Sequence, residues 1–117
     1  MIKENIIQAK TFDFSIKIIS LYKNLIDKNE FVLSKQLLKS ATSIGANVEE
    51  ALAGQTKKDF IAKMSLASKE ARETRYWLKL LNKSQIVTNE CSAHLKEVEE
   101  IVSILTAIVK TSQKSLE

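Results

Sequence analysis

Four basic side chains recur at helical spacing in the middle of the chain and are suited to binding phosphate groups. Arg72, Arg75, Lys79 and Lys83 follow one another at intervals of three and four residues, which places them along one side of a helix. Cationic side chains in such a row neutralise the phosphates of nucleic acid without reading its bases. Tyr76 lies among them and offers a ring for stacking on a base. These four cations, hereafter the basic stripe, predict a nucleic-acid-binding surface.

The same row of charges also fits an ordinary solvent-facing side of a helix. Glu97, Glu99 and Glu100 lie on the predicted fourth helix and would neutralise part of the stripe. In an oligomer, the stripe would instead form salt bridges between subunits with Glu70, Glu73 or the acids of the fourth helix. A ring-shaped oligomer would repeat the stripe and strengthen its field. The sequence leaves these alternatives open.

The acidic and polar side chains near the stripe predict structural contacts. Metal-binding bundles use Glu-x-x-His motifs from two helices, and this chain has one His, His94. We therefore predict no metal or cofactor, and we expect Glu70 and Glu73 to pair with cations of a neighbouring helix or subunit. Asn47 interrupts an apolar face and predicts a buried amide that fixes helix register, with a ligand contact as the alternative. Trp77 lies beside Glu70 and Glu73 on the predicted third helix and is expected at a structural or subunit contact.

Nucleophilic catalysis has little support in the sequence. Cys91 and His94, one helical turn apart, form the only Cys/His pair, and Cys91 occupies an apolar stripe position that predicts a buried structural thiol. The chain has no Gly-rich phosphate loop. Helical nucleases of the toxin type need an Arg a few residues before a His, and residues 87–93 contain none. We expect a protein that is not an enzyme and has no catalytic residues.

Composition limits the architecture and the compartment. The chain of 117 residues is long enough for one domain with a buried core, and it has no Pro and only two Gly, which favours long helices over a sheet. The net charge of +4 permits an acidic partner such as RNA or DNA. A single Cys cannot form an internal disulfide, and no apolar run reaches the roughly 20 residues of a membrane helix. The first residues lack the apolar core of a signal peptide, so we predict a cytoplasmic protein without a membrane partner.

The longest helical pattern spans residues 56–83 and must carry the basic stripe. Eight Lys and Arg stand against three Asp and Glu here, a net charge of +5. The apolar or small residues alternate between spacings of three and four, which predicts one buried helix face. They are Phe60, Met64, Ala67, Ala71, Thr74, Leu78 and Leu81. Leu66, Trp77 and Leu80 form a second apolar line, and such surplus apolar surface predicts self-association.

Three further helices are predicted around it, which makes one antiparallel up-down-up-down four-helix bundle of residues 1–117. The first covers residues 12–28 after a short lead-in at 1–11, for which a helix through Ile6 and Ile7 is the alternative. The second begins at residues 31–34 and ends near 53. Within the second helix, Gly45 predicts a close approach by another helix backbone. Gly54 predicts a left-handed cap, and Thr56 with Asp59 predicts the cap of the third helix.

The fourth predicted helix follows a turn in which Ile86 and Val87 are expected to pack underneath. Thr88 or Asn89 would cap this helix. Its apolar pattern continues to Lys110, and residues 111–117 are predicted to be a frayed tail.

Several segments resemble a bacterial four-helix-bundle family first noticed as reading frames in intervening sequences of 23S rRNA genes. The shared patterns are Ser-Ile-x-x-Asn-x-x-Glu at residues 43–50, Lys-Asp-Phe at 58–60 and Lys-Glu-Ala-x-Glu-Thr at 69–74, which leads into Tyr76 and Trp77. The resemblance covers nearly the whole chain and is most specific in its middle half.

The resemblance implies an architecture more than an activity. It implies a four-helix bundle that assembles into a homo-oligomer, with a five-fold ring favoured. A related branch of the family accompanies diversity-generating reverse transcriptases, where a basic pentameric barrel contacts nucleic acid and the polymerase. The resemblance carries over no catalytic residue. We therefore expect a non-enzymatic accessory protein that binds RNA or DNA through the basic stripe, with a homo-oligomeric interaction scaffold as the alternative.

Overall fold

The computed structural model describes residues 2–86 and 91–116, with side chains from residue 6 onward, and these residues form an all-α four-helix bundle. Its helices are α1 (Ile2–Asp27), α2 (Leu33–Leu52), α3 (Lys57–Lys83) and α4 (Ser92–Lys114). The molecule measures 48 × 21 × 21 Å. The predicted fold class is confirmed.

Contacts between side chains show that neighbouring helices run antiparallel. From α1 to α4, Lys10 pairs with Glu100 and Lys17 with Glu97, so one number falls as the other rises. The same holds between α2 and α3, where Ser40 bonds Thr74 and Glu50 pairs with Lys63. Between α3 and α4, Arg72 bonds Thr106 and Arg75 pairs with Glu99. Each helix packs against the two beside it, in the order α1–α2–α3–α4–α1.

The core is built from the stripes that the sequence predicts. On α3 every predicted stripe residue is buried except Phe60, which is half-buried at the helix start. Because apolar burial contributes roughly 25 cal/mol per Å², these side chains supply most of the driving force for folding. The largest fully buried side chains are Phe14, Ile7, Ile18, Leu25, Leu37, Ile44, Met64, Leu78, Leu81, Ile101, Leu105 and Val48. A hydrogen bond of 2.9 Å between the hydroxyls of Ser40 and Thr74 crosses the core between α2 and α3.

Helix α1 begins ten residues before the predicted start at residue 12, so that boundary is wrong, while the helical alternative for Ile6 and Ile7 is confirmed. Ile7 and Thr11 are buried and extend the stripe of Phe14 and Ile18 backwards at the same spacing. Thr11 hides its polar group because its hydroxyl donates to the Ile7 carbonyl at 2.8 Å. The start of the helix was not predicted because Thr11, a polar residue, occupies a position of the apolar stripe.

The turns at the two ends of α2 use different devices. The carboxylate of Glu30 accepts hydrogen bonds from the backbone N–H groups of Leu33 (2.7 Å) and Ser34 (2.8 Å), which satisfies the start of α2. The predicted left-handed cap at Gly54 is wrong, since neither glycine has a positive φ. A Cβ at Gly54 would lie 3.1 Å from the Ala51 carbonyl oxygen, so space is the reason for this glycine.

The start of α3 and the glycine within α2 agree with prediction. The Thr56 hydroxyl accepts a hydrogen bond of 3.0 Å from the Asp59 backbone N–H, which caps α3 as expected. A Cβ placed on Gly45 would meet the backbone oxygen of Thr11 at 3.5 Å, so α1 does pass close to α2 here. That distance is ordinary van der Waals contact and leaves room for one methyl group.

Two predictions around α4 are wrong. Helix α4 continues to Lys114 instead of fraying after Lys110, and the Lys57 ammonium donates to the Ser115 hydroxyl at 2.6 Å, which ties the end of α4 to the start of α3. Ile86 is 44% exposed and does not pack under the turn. Residues 87–90, which include Val87 and the predicted caps Thr88 and Asn89, lie outside the described residues.

Candidate nucleic-acid interface

The basic stripe lies along the side of α3 that faces α4 and solvent. Arg72 donates from Nη2 to the hydroxyl of Thr106 at 3.1 Å, and Arg75 donates from Nη1 to Oε1 of Glu99 at 3.1 Å. Lys79 and Lys83 are exposed, and no carboxylate of the described residues pairs with them or with Arg72. The stripe therefore contains one cation, Arg75, that is paired with a carboxylate of the described residues, and three that are not.

The acids of α4 do not neutralise the stripe as a group. Glu97 pairs with Lys17 at 2.9 Å and Glu100 with Lys10 at 3.1 Å, so both point to α1. The hydrogen bond and the charge of Glu97 raise the pKa of Lys17. Only Glu99 of these three acids reaches α3. The expected neutralisation is thus confirmed for Arg75 alone.

The ring of Tyr76 lies one turn beyond Arg72 and remains accessible. Tyr76 is 56% exposed, and its ring meets Trp77 edge-on, with centroids 5.2 Å apart and planes at 71°. Trp77 is half-buried, and its indole N–H donates to Oε2 of Glu73 at 3.2 Å. The Trp77–Glu73 bond orients the indole, which packs against the Tyr76 ring while Tyr76 stays largely exposed to solvent.

The remaining predicted site residues lie on α2, which carries Asn47, and on the side of α3 that carries Glu70 and Glu73. Asn47 is half-buried rather than buried, and its amide donates to the Ser43 carbonyl of its own helix at 2.8 Å, so no register contact to another helix is formed. Burial raises the pKa of Glu70, and the charge of Glu73 raises it further. Neither carboxylate pairs with a cation among the described residues, so the predicted ion pairing is not found within the chain.

Other kinds of site find no support in the described residues. Cys91 is buried, as predicted for a structural thiol. Within residues 2–86 and 91–116, no cluster of His, Cys, Asp and Glu is arranged to hold a metal ion. None of the helices there combines the length and the apolar character needed to cross a membrane.

Beside Arg72, α3 and α4 form a groove of about 320 Å³ that the sequence analysis missed. Its polar lining comes from two rows at helical spacing, one on each helix: Ser65, Ser68 and Arg72 on α3, with Thr106, Lys110 and Gln113 on α4. The rows are visible in the sequence as spacings of three and four residues. What the sequence does not give is the pairing of the two helices that brings the rows together.

Fold and site together define a small all-α bundle with a cationic groove between its last two helices. The chain belongs to the 23S rRNA-intervening sequence protein family, whose model matches residues 3–107. A crystal structure from Bacteroides thetaiotaomicron VPI-5482, of a protein with unknown function from the S23 ribosomal protein family, is 44% identical and superposes with a TM-score of 0.89. The match covers 92% of this chain and 98% of that one. No curated protein sequence matches the chain significantly.

Proposed function

We propose that this protein is a non-enzymatic, oligomeric accessory protein that binds RNA through its phosphate backbone. Arg72, Lys79 and Lys83 neutralise phosphates, and Tyr76 stacks on a base. Arg75 contributes only where Glu99 releases it. Binding of this kind needs no metal, no cofactor and no catalytic residue.

The observation that carries the proposal is that most of the acids on α4 that could pair with the stripe pair with α1 instead. Two of the three Glu residues that would neutralise α3 are paired with lysines of α1 instead. Three cations therefore remain on one helix side, spread over about 16 Å at 1.5 Å per residue. Such a row matches a nucleic-acid strand, whose charges repeat at short and regular intervals.

A pair of charge-matched variants tests the proposal. Lys79→Gln/Lys83→Gln removes two cations of the stripe, and Lys23→Gln/Lys35→Gln removes two exposed lysines of α1 and α2. Each phosphate contact with a single strand contributes a salt slope of about 0.7, or about 4-fold in affinity at physiological salt. We expect the first variant to bind a labelled RNA about 15-fold more weakly by fluorescence anisotropy, and the control to change by less than about 2-fold. Equal losses in both variants would reduce the effect to net charge and contradict the proposal.

A DNA of equal length, titrated in parallel, separates a general phosphate binder from one that prefers RNA. Contacts to phosphates alone give similar affinities for both single strands, because the backbone charge is the same. A preference for RNA would indicate contacts to the 2′-hydroxyl groups.

The second candidate is a homo-oligomeric interaction scaffold without nucleic-acid binding, favoured by an apolar line on the outer side of α1. Phe12 (63% exposed), Ile16 (53%) and Ile19 (36%) follow at spacings of four and three and form one ridge. Leu66 on α3 is also 42% exposed. Apolar ridges of this kind on a small bundle are typical of contacts with a second copy of the chain. A homopentamer, which the family resemblance favours, would have about five times the chain mass of 13.2 kDa.

Sedimentation and RNA binding on the same variants distinguish the two candidates. Phe12→Ser/Ile16→Ser should dissociate an oligomer held by the ridge, at little cost to the subunit because both positions are exposed. Arg72→Gln/Arg75→Gln/Lys79→Gln should weaken RNA binding by at least about 15-fold, through the loss of Arg72 and Lys79, and leave the oligomer intact. If the triple variant dissociates the oligomer instead, the stripe forms subunit contacts and the scaffold is favoured. A wild-type protein that sediments as a monomer would contradict both oligomeric proposals.

A further inference from the structure

We infer that the groove between α3 and α4 is a phosphate-binding subsite, in which one phosphodiester group of a nucleic-acid strand is held by hydroxyl groups as well as by cations. The inference rests on the proposed function and locates the best-formed contact within it. Its lining combines two cations, three hydroxyls and one amide, with no carboxylate. Val109 supplies apolar surface to the same groove, suited to the sugar beside a phosphate.

The antiparallel register of the two helices explains why these side chains meet. Arg72 bonds Thr106 across the interface, and from that pair the residue numbers fall along α3 as they rise along α4. Ser68 is therefore level with Lys110. Ser65 is level with Gln113, and this pair forms the end of the groove toward the end of α4. Hydroxyl and cation thus alternate across the two helices, so a phosphate between them is approached from both sides.

The hydroxyl groups of the groove keep protons to donate. In α1 and α2, hydroxyls such as those of Ser15 and Thr42 donate to a carbonyl one turn earlier in their own helix. Ser65 and Ser68 are half-buried, yet neither donates to any described protein group. The Thr106 oxygen accepts from Arg72, which leaves its own proton available. Donors without protein acceptors are what an anion with several acceptor oxygens requires.

The bond to Thr106 also fixes the position of the Arg72 guanidinium. One of its five N–H groups is used by Thr106, and the others remain for a phosphate. A guanidinium that is already held loses less side-chain entropy on binding than a free Lys does. Lys110 adds a second charge from α4.

Comparison with other grooves of the described residues supports an anionic ligand for this one. The groove between α1 and α2 includes Glu49, and the groove beside the α2–α3 turn includes Glu50 and Asp59. A depression formed by α1 and α4 is apolar and contains Ile6 and Ile104. The volume of about 320 Å³ between α3 and α4 is at the lower end of the range for small-molecule sites, roughly 300–1,000 Å³, and is sufficient for one nucleotide unit.

Removing hydroxyls without changing charge separates a formed subsite from a general electrostatic surface. Ser65→Ala/Ser68→Ala keeps the net charge and replaces helix residues with a better helix former. We expect this variant to bind a single-stranded RNA 12-mer about 10-fold more weakly with an unchanged salt slope, because hydrogen bonds to charged groups contribute more than neutral ones. The matched control is Ser20→Ala/Ser103→Ala, which removes two exposed hydroxyls elsewhere on the helices. Lys110→Gln should weaken binding about 4-fold and lower the salt slope by about 0.7.

A titration with inorganic phosphate, followed by the amide signals of the ¹⁵N-labelled protein, tests the groove independently of RNA. We expect saturable shifts at Ser65, Ser68 and Thr106 in the wild type and their loss in Ser65→Ala/Ser68→Ala. If RNA binds and this variant behaves like its control, the subsite is refuted and the proposed function stands. If RNA does not bind but inorganic phosphate saturates the groove, the phosphate site stands and its ligand is a small phosphorylated molecule. If neither binds, both the function and the subsite are refuted.

Discussion

Replacing Glu99 with Gln should make this protein bind RNA more tightly. Glu99 is the acid of α4 that pairs with the basic stripe, through a contact of 3.1 Å to Arg75. The substitution removes a negative charge from the proposed interface and releases one cation for a phosphate. One additional phosphate contact corresponds to about 4-fold tighter binding at physiological salt and to a salt slope larger by about 0.7.

The neighbouring residue supplies a closely matched control. Glu100 also forms an ion pair of 3.1 Å, with Lys10, and its side chain is 53% exposed compared with 55% for Glu99. Glu100→Gln makes the same change in charge but releases a lysine on the α1 side of the bundle. That lysine lies on another helix and adds no phosphate contact to the stripe. We expect less than about a 2-fold change in affinity for this variant.

Fluorescence anisotropy with a labelled RNA at four salt concentrations measures both quantities, and thermal unfolding checks the fold. Exposed ion pairs contribute less than about 1 kcal/mol, so both variants should retain the folded state with similar midpoints. If Glu99→Gln binds RNA no more tightly than Glu100→Gln, the view that Arg75 is held out of an RNA-binding surface is refuted.

Three predictions concern the packing of the bundle, each measured by chemical or thermal unfolding. Gly45→Ala should stabilise the protein by about 0.5–1 kcal/mol, because a Cβ there makes ordinary contact with α1 and Ala is a better helix former. Gly54→Ala should destabilise the protein, because its Cβ would lie 3.1 Å from a carbonyl oxygen. Equal effects of the two substitutions would contradict this reasoning. Ser40→Ala and Thr74→Val should each cost about 0.5–1.5 kcal/mol, because each removes the bond between α2 and α3 while the remaining hydroxyl keeps a carbonyl of its own helix. The double variant should cost less than the sum, since both changes remove the same bond, and strict additivity would argue against it. Glu70→Gln should stabilise the protein at neutral pH, where the desolvated carboxylate is charged. Because the pKa of Glu70 is raised in the folded state, this gain should vanish as pH falls below the ordinary range of a Glu; a gain that persists in acid would contradict it.

Much of the fold could be predicted from the spacing of apolar residues. The stripe from Met64 to Leu81 repeats at three and four residues with few interruptions, and the structure buries it. The start of α1 was missed because Thr11, which is polar, occupies a core position and satisfies its hydroxyl on its own helix. The conformation of Gly54 was missed because a helix-terminal glycine usually signals a positive φ, whereas here it avoids a clash.

Only part of the candidate site could be predicted from the sequence. Spacing along one helix was sufficient to group Arg72 with Lys79 and Lys83. It could not show that Glu99 reaches Arg75 while the adjacent Glu100 turns to α1, because that choice depends on how α4 is rotated against both neighbours. The α3–α4 groove was missed for the same reason, since its two polar rows are far apart in the sequence.

The most direct test of the central claim is an anisotropy titration of wild-type protein, freed of bound nucleic acid, with a structured RNA at low and physiological salt. Arg72, Lys79, Lys83 and Lys110 together predict saturable binding at low salt that weakens as salt rises, with a slope of about −3 for log affinity against log salt where the bound segment is single-stranded. Absence of binding at low salt, or binding that does not change with salt, would contradict the claim that this face of the bundle holds phosphate groups.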